Sequence, residues 1–154
     1  MAELVVTRDY VRSDEIIALL DAHLTLMRSL SPPESTHALD LEGLRGSDIT
    51  FWRAEIAGKL VGCGALKELA DNAGEIKSMH TAAVHRGKGV AAALLLHVMA
   101  TARERGYKKL FLETGSQPGF KPARQLYLNH GFTECPPFAN YILDPNSVFM
   151  TINL

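Results

Sequence analysis

His85-Arg86-Gly87-Lys88-Gly89-Val90-Ala91-Ala92-Ala93-Leu94-Leu95-Leu96 decides how this chain folds, because it joins a β-rich run to an apolar helix through two glycines one residue apart. Residues 75–84 before it read as a strand ending at Val84. Residues 90–105 after it are strong helix formers, apolar early and charged late at Arg103-Glu104-Arg105, with Gly106 placed to end the helix. The first half of that helix is expected to be buried. Glycines let the backbone approach an anion, and the free N–H groups and positive dipole end of a helix N-terminus stabilise negative charge there. A phosphate or pyrophosphate is the ligand this segment implies.

Working upstream, residues 60–69 and 49–57 are β-rich and flank Gly58-Lys59, which predicts an antiparallel hairpin with a two-residue type II′ turn. Asp71-Asn72-Ala73-Gly74 is the turn that leads into the third strand. Ser13 or Asp14 caps an earlier helix running to about Leu30, with Ile16, Ile17, Leu20, Leu24 and Met27 on one face and Pro32-Pro33 as its stop. Residues 34–40 form a polar loop, a candidate substrate lid, before a short helix ahead of Gly46, and Leu4-Val5-Val6-Thr7 opens the chain as a strand. Downstream, residues 109–113 are a strand, Pro122 starts a helix that Gly131 ends, and residues 140–143 and 148–152 read as two closing strands. The order predicts one domain over residues 1–154 of the α/β (α+β) class: a mixed, mostly antiparallel sheet with helices on both faces.

The bulk numbers agree with a globular domain. The chain has 154 residues, 47% hydrophobic and 21% charged, with a formal net charge of -1, a balance that suggests neither a nucleic-acid nor a membrane partner. Cys63 and Cys135 form no C-x-x-C pair and the six histidines form no H-E-x-x-H, so reduced thiols, no metal and a cytoplasmic setting are expected. The start of the chain has no basic and apolar signal pattern, and the apolar stretch from Val90 is broken at His97.

Two nucleotide motifs fail against the glycine loop. A Walker A loop needs Ser or Thr after Gly-Lys, where Gly89 stands, and a dinucleotide fingerprint needs a third glycine where Ala92 stands. The pattern R/Q-x-x-G-x-G/A does fit, through Arg86, Gly89 and Ala91, and Leu126-Tyr127-Leu128-Asn129-His130-Gly131-Phe132 supplies a second motif, L-Y-x-x-x-G-F. On these residues and on the order of elements along essentially the whole chain, the sequence resembles the GNAT acetyltransferase superfamily. Gly74-Glu75-Ile76-Lys77-Ser78-Met79, Leu112-Glu113-Thr114-Gly115 and Cys135-Pro136-Pro137-Phe138 resemble a branch of small bacterial members. Phe120 departs from the pattern, standing where many members carry Asn, so Ser116 or Gln117 becomes the candidate for that polar contact.

The resemblance implies an acetyl-CoA-dependent N-acetyltransferase acting on a primary amine of a small molecule or amino acid by direct attack. Met79, His80 and Thr81 would offer backbone groups to the pantetheine arm, and Arg86, Gly87, Lys88, Gly89, Val90 and Ala91 theirs to the pyrophosphate. The Met79 N–H is the implied oxyanion donor, and Tyr127 the implied proton donor to the departing thiolate. Glu75 is the first choice for the base that deprotonates the amine and Glu113 the second. Lys77 and Arg53 are candidates to hold a substrate carboxylate, while Trp52, Phe120, Phe138 and Tyr141 are candidate pocket walls. The competing reading is a non-catalytic acetyl-CoA-binding sensor or partner module; a homodimer through residues 148–152 is a further expectation.

Overall fold

The computed structural model describes residues 3–154. Strand β1 (Leu4–Asp9) leads into helix α1 (Asp14–Leu30), capped by Ser13, whose hydroxyl accepts from the Ile16 amide at 3.3 Å. Asp14 and Glu15 in its first turn complement the helix dipole. After Pro32-Pro33 comes α2 (Leu41–Leu44), capped by Asp40. Three strands follow, β2 (Ile49–Ile56), β3 (Lys59–Leu69) and β4 (Ala73–Thr81). The chain ends with α3 (Val90–Glu104), β5 (Lys109–Gly115), α4 (Lys121–Asn129), the short β6 (Thr133–Glu134) and β7 (Ser147–Asn153).

These strands make one seven-stranded sheet in the order β1-β2-β3-β4-β5-β7-β6. Every pair is antiparallel except β4 with β5, whose parallel pairing needs a crossover, and α3 supplies it. Helices α3 and α4 cover one face, burying Leu66, Ile76, Leu94, Leu95, Leu110, Leu112 and Tyr127 together. Helices α1 and α2 cover the other, over Phe51, Cys63 and Ala65. The mixed, mostly antiparallel sheet between two helical layers is the architecture the sequence predicts.

Four local expectations change. The β2–β3 turn is Ala57-Gly58, both at positive φ (51° and 76°), and Ile56 pairs with Lys59, so it is a type I′ turn shifted one residue from the expected Gly58-Lys59. Strand β4 stops at Thr81, and Ala83–His85 is a 3-10 turn, so Val84 is not in the strand and is 80% exposed. Helix α3 buries a stripe, Val90, Leu94, Leu95, Val98, Met99 and Ala102, and leaves Leu96 exposed, because a helix on one sheet has one buried side. Residues 140–143 form no strand, and Ile142 and Leu143 are exposed. Strand β7 runs between β5 and β6, paired to β6 at Met150 and Thr151.

The first turn of α3 is pinned by Val90 and Leu94, both fully buried, and each such side chain contributes roughly 1.5–3 kcal/mol of transfer free energy. That anchoring fixes the glycine loop relative to β4. At the far end a Schellman turn closes α3: Gly106 N donates to Arg103 O and Tyr107 N to Ala102 O, both at 3.0 Å. The same pair of bonds ends α4, from Gly131 N to Leu128 O and from Phe132 N to Tyr127 O.

Candidate active site

The glycine loop is exposed from Arg86 to Gly89. Gly87 and Gly89 sit at φ of 77° and 83°, and a side chain at either would meet nothing within 4 Å, so it is backbone conformation and not crowding that requires glycine. Gly89 caps α3 in the left-handed region and no side chain caps this end. The first helical bond runs from Ala93 N to Gly89 O, which leaves the amides of Val90, Ala91 and Ala92 without intrahelical partners. Such a terminus is built to receive an anion.

Strand β4 leads from that loop to a cavity. Its pairing with β5 covers only Ala73 to Ile76 against Lys109 to Leu112, although β4 continues to Thr81 and β5 to Gly115. The two strands part beyond Ile76. A bulge accompanies the parting: Ser78 takes φ 54°, the register against β3 shifts between Cys63 and Ala65, and the Cys63 thiol donates to Ser78 O at 3.3 Å. The cavity in the opening holds about 760 Å³ of empty space, its mouth included, and its walls include Met79, Glu113, Phe120, Tyr127, Glu75 and Lys77.

Glu75, only 3% exposed, is engaged on one oxygen by two donors. Lys77 Nζ lies 3.1 Å from its Oε2 and the Tyr141 hydroxyl donates to the same atom at 2.6 Å. Lys77 also donates to the Tyr141 oxygen at 3.0 Å and to the His37 carbonyl at 3.4 Å. Burial, with the Glu75 charge and hydrogen bond, drives the Tyr141 phenol far above its ordinary range, so its proton stays on. Glu113 has no ion-pair partner among the described residues. Burial pushes its carboxyl up to about 7, opposed by the nearby Ser147 hydroxyl, which has no other partner, and by the charge of Lys77, and reinforced by Glu75 and Asp144. A carboxyl that changes charge near neutrality suits a general base.

Tyr127 is buried in α4, its ring edge-on to Phe132 at 5.7 Å, and it lines the cavity. Burial, with the charge of Glu113, pushes its phenol up to about 12, which keeps it protonated and available as a donor. Met79 lines the same opening, whereas Thr81 pairs with Gly62 and His80 turns to the opposite face. There His80 Nδ1 meets His23 Nδ1 of α1 at 3.1 Å, one ring donating and the other accepting. Burial lowers both to about 4, so both are neutral at pH 7, and the pair ties α1 to the cofactor-side strand.

The other sequence candidates divide. Phe120 and Tyr141 line the cavity; Trp52 is a core residue against His97, and Phe138 stacks on Phe111 beneath Tyr141. Arg53 is held by Asp9 and Glu15 and does not line the cavity. Ser116 donates to Pro145 O, and Gln117 Nε2 to Asn146 Oδ1, leaving Gln117 Oε1 buried without a partner. Asp144 and Asn146, which sequence reasoning missed, tie the loop beside the cavity in place. Ser35 donates to Asp144 at 2.5 Å, Asn146 donates to Ser35, and His37 stands edge-on to Tyr141, joining the 33–40 loop to the 135–147 segment. The 34–40 loop is thus hydrogen-bonded to a second segment, and no local pattern announces a contact spanning more than a hundred residues.

Residues 16–132 match the Acetyltransferase (GNAT) family. The chain is 54% identical to the uncharacterized N-acetyltransferase YsnE of Bacillus subtilis over 95% of its own length and 97% of that protein. Its fold superposes on a candidate acyl-CoA N-acyltransferase of Klebsiella pneumoniae with a TM-score of 0.81 at 30% identity, covering 98% of this chain and 97% of that one. A GNAT acetyltransferase of Elizabethkingia anophelis, solved with acetyl-CoA bound, shares the fold at a TM-score of 0.71 and 19% identity, with 98% of each chain covered.

Proposed function

The chain belongs to the GNAT acetyltransferase family, and from that premise we propose that it moves the acetyl group of acetyl-CoA to a primary amine of a small molecule by direct attack. The observation that carries this reading is the opening between β4 and β5, whose cavity brings the buried carboxylates of Glu75 and Glu113 and the Tyr127 phenol beside Met79 of the strand that leads to the glycine-capped end of α3. The loop amides of residues 87–91 hold the pyrophosphate, with Arg86 and Lys88 adding positive charge. The backbone of Met79, His80 and Thr81, beyond the point where β5 parts from β4, takes the pantetheine arm. A relative of the same fold crystallised with acetyl-CoA, which supports that cosubstrate.

Holding amine and thioester in one geometry supplies much of the acceleration. A proton leaves the ammonium for a carboxylate, and the freed amine nitrogen then attacks the thioester carbon. The Met79 N–H stabilises the oxyanion. As the C–S bond breaks, Tyr127 gives its proton to the thiolate, and the second proton, lost from the acylated nitrogen, returns through solvent to Tyr127. Glu75 and Glu113 share the cavity, and the weight now falls on Glu113 as the base: it has no ion pair and titrates near 7, whereas Glu75 already serves Lys77 and Tyr141.

Calorimetry with acetyl-CoA, followed by thiol-release assays over a panel of amines, tests the reading. Tight binding with amine-dependent thiol release is the expected result. Binding without release from any amine would leave a sensor module in its place.

A further inference from the structure

The walls of the cavity discriminate between kinds of amine. Among the described residues lining it, Lys77 is the one lysine or arginine, and its side chain is 8% exposed. An ammonium carries three N–H donors. Three acceptors inside the chain take them: Glu75 Oε2 at 3.1 Å, the Tyr141 oxygen at 3.0 Å and the His37 carbonyl at 3.4 Å. His23 is committed to His80 and neutral, and the His37 ring packs edge-on to Tyr141. A carboxylate entering with the acceptor would find no uncommitted lysine or arginine among the described lining residues and would face the carboxyl groups of Glu75 and Glu113. Unpaired like charge in a partly desolvated site is a strong basis for rejection.

An ammonium meets the opposite situation. Glu113 lines the cavity with no ion-pair partner, and Met27, Ala38, Phe120 and Ala123 offer an apolar wall beside it. Resting on the acetyltransferase reading above, the geometry points to a carboxylate-free primary amine, aliphatic or arylalkyl, as the acceptor, in preference to an α-amino acid. An amine of this class is what decarboxylation of an amino acid leaves, so a decarboxylation is the class of reaction that would supply it.

The test compares matched pairs in the thiol-release assay: phenethylamine with phenylalanine, isoamylamine with leucine, and phenylalaninamide as the control that keeps the size and removes the charge. The amines should exceed the amino acids in kcat/KM by more than about tenfold, the discrimination a single unpaired charge supports, and the amide should recover most of the difference. Tyr141→Phe, which releases one Lys77 N–H, should narrow the ratio. Amino acids turned over as well as the amines, an amide as poor as the acid, an unchanged ratio in Tyr141→Phe, or silence from every pair while acetyl-CoA still binds would each overturn the proposal. Failure of acetyl-CoA itself to bind would remove the acetyltransferase reading beneath it.

Discussion

The glycine loop and the cavity between β4 and β5 are built on opposite plans. The loop is exposed, contiguous in sequence and made of backbone: Gly87 and Gly89 at positive φ and the free amides of the first turn of α3. The cavity is buried, gathered from α1, the 33–40 loop, β4, β5, α4 and the 135–147 segment, and made of side chains. A backbone site holds a charged group that every reaction of the family shares, and it needs little from the rest of the fold. A side-chain site selects and activates one acceptor, and needs a low-dielectric setting that no single segment can supply. On the function proposed above, the difference amounts to a division of labour in which the loop sets cosubstrate affinity and the cavity sets rate and acceptor choice.

The sharpest way to break that division is Glu113→Gln. A missing general base lowers turnover by about 10²–10⁴-fold, and acetyl-CoA affinity should stay as in the parent. The sign of the pH effect follows from the carboxyl being pushed up to about 7: below that pH it is protonated and cannot accept, so the parental rate rises as pH increases through 7 and levels above it. In the variant this limb should disappear. Glu75→Gln assayed over the same range is the paired comparison, and a limb lost there but kept in Glu113→Gln would return the role to Glu75.

Tyr127→Phe comes next, with an expected loss of about 10²-fold in turnover, the lower end for a general acid, while the ring keeps its contact with Phe132. An equal loss of acetyl-CoA affinity would show that the cavity also anchors the cosubstrate, and the division would fail at this residue.

On the loop side, Gly89→Ala asks an L-residue to hold φ 83°. That conformation costs roughly 1–2 kcal/mol, and if the loop relaxes to relieve it, acetyl-CoA binds about five- to thirtyfold more weakly by calorimetry, with turnover at saturation preserved. A folded variant with parental affinity would show that the left-handed cap is not needed to hold the pyrophosphate.

The smallest expected kinetic effect on a good amine belongs to Tyr141→Phe. It removes a hydrogen bond to a buried carboxylate, worth roughly 1.5–3 kcal/mol, yet Lys77 keeps Glu75 paired. Thermal unfolding should register it, at about 2–4 °C for each kcal/mol in a domain of this size.

Much of the fold was legible because its signals are local. Ser13 and Pro32-Pro33 bound α1, Gly106 and Gly131 close two helices, and α3 starts at Val90 after the glycine loop as the sequence puts it. The misreadings lie where local signals are ambiguous. Ala57-Gly58 and Gly58-Lys59 are both plausible turns until the register with β3 chooses, and residues 140–143 are β-prone but pair with no strand of the sheet.

The sequence by itself determined the element order, the glycine-capped helix terminus and the two candidate carboxylates, since each depends on residue types at short spacing. Only the tertiary structure decided how those carboxylates differ. Glu75 acquires Lys77 from its own strand and Tyr141 from a segment far along the chain, while Glu113 acquires burial without an ion pair. The reason is that a carboxyl's proton affinity is set by what surrounds it in space, through desolvation and neighbouring charge, and packing brings those neighbours from parts of the chain that share no local pattern.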